Sequence, residues 1–190
     1  MTTTAGPVRD RILDAATRRY YAEGIRAVSA DRLIAEAGVS KVTFYRYFPS
    51  KDDLITAYLS RQVSRSEELL TQLRAELAGD PAAVLSSYAE GLGVWTCTPG
   101  FRGCPFINAA AELSQPDHPG HRVVMDHRDW LGGQFAELLT ELGVSDVHAK
   151  AEQLMMLRDG AMVAGYVGRT PEAVAETLIA AGRSLIGRCV

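Results

Sequence analysis

The chain has 190 residues, 47% of them hydrophobic and 23% charged, with a formal net charge of −3. This is enough chain to bury a substantial core, and the charge excludes a uniformly basic nucleic-acid protein. Three widely spaced cysteines make no disulfide framework, no apolar run reaches membrane-spanning length and no signal peptide opens the chain, so a cytoplasmic protein without a membrane partner is expected.

Residues 1–6 are small and polar and read as a mobile arm, with Pro7 at a first helical position. Val8, Ile12, Ala15, Ala16 and Tyr20 then give one apolar helix face that ends before Gly24. Ser29 caps a second helix, with Asp31 in its first turn where the helix dipole favours a negative charge. Leu33, Ile34 and Ala37 line that helix, and Gly38 ends it because glycine takes the left-handed conformation at no steric cost. Ser40 caps a third helix over 41–48, and Pro49 stops it. Ser50 and Asp53 form a variant capping box that starts a long helix over 51–77. Asp80-Pro81 opens the next, carrying Leu85, Tyr88, Leu92 and Trp95. Prolines and glycines break the pattern at 98–105; a short helix over 106–113 and a loop over 114–120 follow. Val124, Leu131, Phe135, Leu138 and Leu142 mark another helix, and Ser145 is the expected cap of one carrying Ala151, Leu154, Met155, Ala161 and Ala164. Thr170-Pro171-Glu172 starts the last, with Val174, Leu178, Ala181 and Leu185 inside it. No segment alternates with period two, so the expected fold is all-α with about nine helices.

The helix, turn and helix over 29–48 have the size of a DNA-reading unit, whose second helix enters the major groove. Phe44 and Phe48 are four apart and face the core, whereas Lys41, Thr43, Tyr45, Arg46 and Tyr47 offer cations and hydroxyls to phosphates and base edges. Residues 1–60 hold nine cations against seven acids, so the positive end of the chain coincides with this unit. The stretch AEAGVSKVTFYRYFPSKDDL resembles the signature of the TetR family of bacterial transcriptional regulators, with Gly38, Thr43, Tyr45, Phe48, Lys51 and Leu54 where that family has them. The resemblance implies a helix-turn-helix DNA-binding domain over 1–50 and a ligand-binding and dimerisation domain over 51–190, with 51–77 as the connecting helix. It also implies the DNA contacts. Ser29 and Ala30 open the first motif helix near a phosphate. Ser40, Lys41, Val42 and Thr43 start the recognition helix and face bases, with Tyr45, Arg46 and Tyr47 reaching phosphate or a base edge. Lys51 pairs with phosphate.

Two further sets carry function or simply pack. Gly160, Ala164 and Gly168 recur every four residues beside Ala161 and Gly165, a small-residue ridge that admits a close helix. Spacing fits a helix of the same chain as well as a second subunit; the resemblance favours a dimer, with Val174, Leu178 and Ala181 of the last helix alongside. Trp95, Phe106, Met125, Trp130, Met155 and Tyr166 are either core or the lining of a small-molecule cavity, with Asn108 either its polar anchor or a backbone cap.

Other chemistry is weakly marked. His118, His121 and His127 match no zinc spacing and read as surface or capping residues. Cys97 and Cys104 lack a CxxC motif and read as buried structural thiols, and Cys189 as a terminal residue. No phosphate loop, dinucleotide fingerprint or catalytic triad is present. No cofactor is expected. The expected protein is a homodimeric repressor that binds a double-stranded inverted-repeat operator and is released by an apolar or aromatic effector. A small helical enzyme, or a dimeric module without DNA binding, are the rivals; sequence-specific retention on DNA separates them.

Overall fold

The computed structural model describes residues 8–168, 170 and 173–187, and these form nine helices and no strand. In chain order they are α1 (Val8–Glu23), α2 (Ala30–Ala37), α3 (Lys41–Tyr47), α4 (Lys51–Glu76), α5 (Pro81–Thr96), α6 (Pro105–Glu112), α7 (Pro119–Glu141), α8 (Val147–Val167) and α9 (Ala173–Ile186). The expected arm at 1–6, Pro7, Pro171, Glu172 and Cys189 lie outside the described residues.

The chain makes two compact units. The first runs up to Ser64 and takes in Pro105–Met125, so it contains α1 to α3, the first half of α4, α6 and the opening turns of α7. Its core is built from the apolar positions spaced at three and four: Ile12, Ala16 and Tyr20 of α1, Leu33 and Ala37 of α2, Phe44 and Phe48, and Leu54, Tyr58 and Leu59 of α4 are all buried. Tyr20 and Tyr58 meet edge to face at 5.5 Å. Each such side chain contributes about 1.5–3 kcal/mol on leaving water.

The second unit is Arg65–Cys104 with the chain from Asp126 onward. Here α5, α8 and α9 pack on one another around Val84, Tyr88, Leu92, Leu131, Phe135, Leu138, Met155 and Met162, all buried. Gly93 of α5 lies so close to Ala175 of α9 that a Cβ has no room, a packing role for a glycine inside a helix.

Local signals set most helix ends. Asp80 accepts from Ala83 N at 2.9 Å, with Pro81 in the first turn of α5. Ser50 and Asp53 cap each other, Ser50 N donating to Asp53 Oδ2 at 2.9 Å and Asp53 N to Ser50 Oγ at 3.1 Å. Four expectations are corrected. The cap of α8 is Asp146, in the left-handed region at φ 57 with no side-chain bond, and not Ser145. The loop before α7 ends at His118, whose Nδ1 accepts from Gly120 N at 3.0 Å; Pro119 sits in the first turn and His121 is helical. His127 is buried rather than at the surface, because α7 turns it inward beside Trp130. Cys97 is exposed, as the C-cap of α5, whereas Cys104 is buried as expected.

Candidate nucleic-acid interface

In the first unit, two serines and a glycine fix α2 and α3. Ser29 Oγ accepts from Arg32 N at 3.4 Å. Gly38 takes φ 62 and ψ 43, and its N–H and that of Val39 close the end of α2 on Ala35 O and Ile34 O. Ser40 Oγ then accepts from Thr43 N at 3.1 Å and meets the Thr43 hydroxyl at 2.9 Å. Phe44 and Phe48, four apart, anchor α3 to the core. That anchoring turns the rest of α3 outward: Lys41, Val42, Tyr45, Arg46 and Tyr47 are exposed, Val42 at 81%. Thr43 and Ala30 are half-buried and Ser29 and Ser40 exposed.

Cations of α1 and α2 neutralise the acids behind this face. Arg18 bonds Glu36 at 3.0 Å, Arg19 bonds both Glu36 and Glu23, and Arg32 reaches Glu23 at 2.7 Å. These hydrogen bonds, Arg19's foremost, hold Glu23 and Glu36 below the ordinary carboxylate range. On the face itself Lys41 meets only the exposed Asp31, at 3.8 Å, a weak surface pair. Arg46 lies over the Tyr47 ring at 5.3 Å. Lys51 is half-buried at the start of α4; burial lowers its pKa, with Glu112 and Asp52 acting the other way.

Glu112, the last residue of α6, was not singled out by any sequence signal. Its carboxylate accepts from Ile25 N at 2.9 Å and Arg26 N at 2.7 Å, closing over Gly24 in the turn before α2. Gly24 sits at φ 93, which favours glycine there. The two partners are more than eighty residues apart, so local pattern carries no trace of the contact.

The second unit holds a cavity of about 280 Å³ between α5, α7, α8 and α9. None of the seven residues expected to line an effector site lines it. Met155 is core, Trp130 is stacked on His127 at 5.5 Å, Trp95 meets Phe101 edge to face, and exposed Tyr166 lies under Arg102. Phe106, Asn108 and Met125 belong to the first unit. The expectation selected bulk, and bulky side chains fill space; the walls here are Leu85, Leu154, Ile179 and their neighbours.

Four of the five ridge residues lie together. Gly160, Ala161, Ala164 and Gly168 line an apolar groove with Val174, Leu178 and Ala181 of α9, and Met156, Ala164 and Val167 are exposed. Gly165 departs from it. Its Cα is pressed against Thr96 and Phe101 of the same unit, so α5 occupies the side on which a second subunit was expected.

Residues 12–58 match the family profile of bacterial regulatory proteins of the tetR family. A TetR-family transcriptional regulator from Streptomyces coelicolor, SCO4454, is 41% identical over 95% of this chain and 94% of that one, with a TM-score of 0.89. A putative regulator of the same family from Streptomyces avermitilis is 26% identical over 93% of this chain and 98% of that one, with a TM-score of 0.76. The transcriptional regulator LmrA of Bacillus subtilis is 27% identical over 85% of each chain.

Proposed function

Because the chain belongs to the TetR family of DNA-binding transcriptional regulators, which are not enzymes, we propose that it is a homodimeric repressor released from an inverted-repeat operator by a small apolar molecule. The outward face of α3 is the observation that carries the reading. Two buried phenylalanines orient it, and it presents two cations, a branched apolar side chain and two tyrosines, with the acids behind it already paired. Val42 suits a thymine methyl, and Lys41 and Arg46 suit guanine edges. Ser29, Ala30, Ser40, Thr43, Tyr45, Tyr47 and Lys51 are assigned to phosphates and adjacent edges, which fix register.

The groove between α8 and α9 supports the dimer. A second copy laying the same two helices across it removes Met156, Val167 and the small-residue ridge from water, and a two-fold contact of this kind is self-complementary. Gly165 has no part in it. A two-fold dimer sets two α3 helices on successive major grooves, so the operator is an inverted repeat.

Selecting bound sequences from a random DNA pool tests the reading. A recovered inverted repeat, bound by two chains, is the expected result. Recovery of unrelated sequences, with equal affinity for the pool and its products, removes it.

A further inference from the structure

An apolar occupant does not account for the wall that Arg158 makes in the 280 Å³ cavity. We propose that the cavity binds an apolar monocarboxylate, with its anionic head on the Arg158 guanidinium and its hydrocarbon body among Leu85, Phe135, Leu154 and Ile179. The regulatory meaning of the site rests on the reading of the chain as a ligand-released repressor.

Arg158 is enclosed, its side chain 9% exposed. A guanidinium has five N–H donors. Nη1 donates to Asp159 Oδ1 at 2.9 Å and to Cys104 Sγ at 3.3 Å, sulfur being a weak acceptor, and the guanidinium also hydrogen-bonds the Tyr88 side chain. Nε is buried with no acceptor among the described residues. A buried donor without an acceptor is destabilising, and a ligand carboxylate removes that defect by taking two parallel N–H bonds.

The charge balance points the same way. Asp159 is shared, because Arg128 also bonds it, at 2.6 Å. Two guanidiniums therefore divide one carboxylate, which leaves an excess positive charge beside the cavity. At the rim Asp80 and Arg183 offset each other, and Asp80 is occupied in capping Ala83 N. Burial disfavours the Arg158 charge, but Cys104, Tyr88 and Asp159 outweigh it and hold the group protonated. His127, pushed down to about 4 by burial and then by Arg158, adds no charge at neutral pH. One excess charge in an apolar chamber suits a monoanion better than a phosphate ester. The cavity is about twice the ~150 Å³ that accommodates benzene, which fits a bicyclic ring or a medium-length alkyl chain.

Titration calorimetry on the full chain with 2-naphthoate and octanoate, each against its neutral carboxamide, tests the site. At least one carboxylate is expected to bind roughly tenfold tighter than its amide, as a charge-assisted bidentate pair would give. Arg158→Met should remove that preference. If Arg158→Met fails to fold, Ile179→Trp keeps the cation, fills the chamber and should abolish binding. Equal affinity for acid and amide in the unaltered protein, no carboxylate binding at millimolar concentration, or undiminished binding by Ile179→Trp overturns the proposal. Operator release is read in parallel. Tight carboxylate binding that leaves the operator bound upholds the site and rejects ligand release. Release by the amides without any preference for acid rejects the carboxylate site and keeps ligand control.

Discussion

Single side chains make two separable statements here, one about pH and one about DNA. His127 has a folded pKa of about 4, below the ordinary 6.5, because burial and then Arg158 disfavour its charge. The unfolded chain therefore takes up a proton at a pH where the folded chain does not. Its contribution is full above pH 6.5 and lost as pH falls from 6.5 to 4, about 3 kcal/mol in all. Urea unfolding at pH 7.5 and pH 5 should show about 2 kcal/mol of that loss, and His127→Phe should flatten it; an unchanged slope in the variant rejects the assignment. On the DNA face, Lys51 and Lys41 have different partners in view. Lys51→Ala should weaken binding to every sequence and lower the salt slope by about one phosphate contact. Lys41→Ala should relax preference at one base position at a cost of about 1–3 kcal/mol. Gel-shift titrations at several salt concentrations distinguish the two effects, and identical behaviour of both variants contradicts the division.

Helix ends and faces decide the next level. α2, α3 and the start of α4 were legible in the sequence because Ser29, Gly38, Ser40 and the Ser50–Asp53 pair act on backbone groups within three or four residues of themselves. Ser145 and Asp146 show the limit of that logic: two good capping residues stood side by side, and the one chosen makes no side-chain cap bond at all. Gly165 shows another limit. Spacing placed it on the ridge, but helix rotation put its Cα against Thr96. The cavity was illegible for a third reason, since its walls come from four helices and consist of side chains too ordinary to attract notice. On the open face, Ala164→Arg should block close helix approach and leave a buried charge unpaired, costing several kcal/mol of association. Sedimentation should then find monomers. A soluble variant that remains dimeric moves the interface away from α8 and α9.

At the scale of the whole molecule, the chain passes from one compact unit to the other three times, and one of those crossings lies between Cys104 and Pro105. Cys104 accepts from Arg158, and Pro105 opens α6, whose last residue is Glu112. Within the first unit, the short helix is held at its far end by the Glu112 carboxylate on the turn that precedes α2. Its far anchor is also unfavourably charged, since a carboxylate at a helix C-terminus opposes the dipole, and the N–H groups of Ile25 and Arg26 compensate. Glu112→Ala leaves those N–H groups without this acceptor and should cost about 1–3 kcal/mol of stability, measurable by thermal unfolding. Without that carboxylate the turn before α2 loses a support that comes from far along the chain, so a change in α6 would be felt by the DNA-reading helices through the first unit alone.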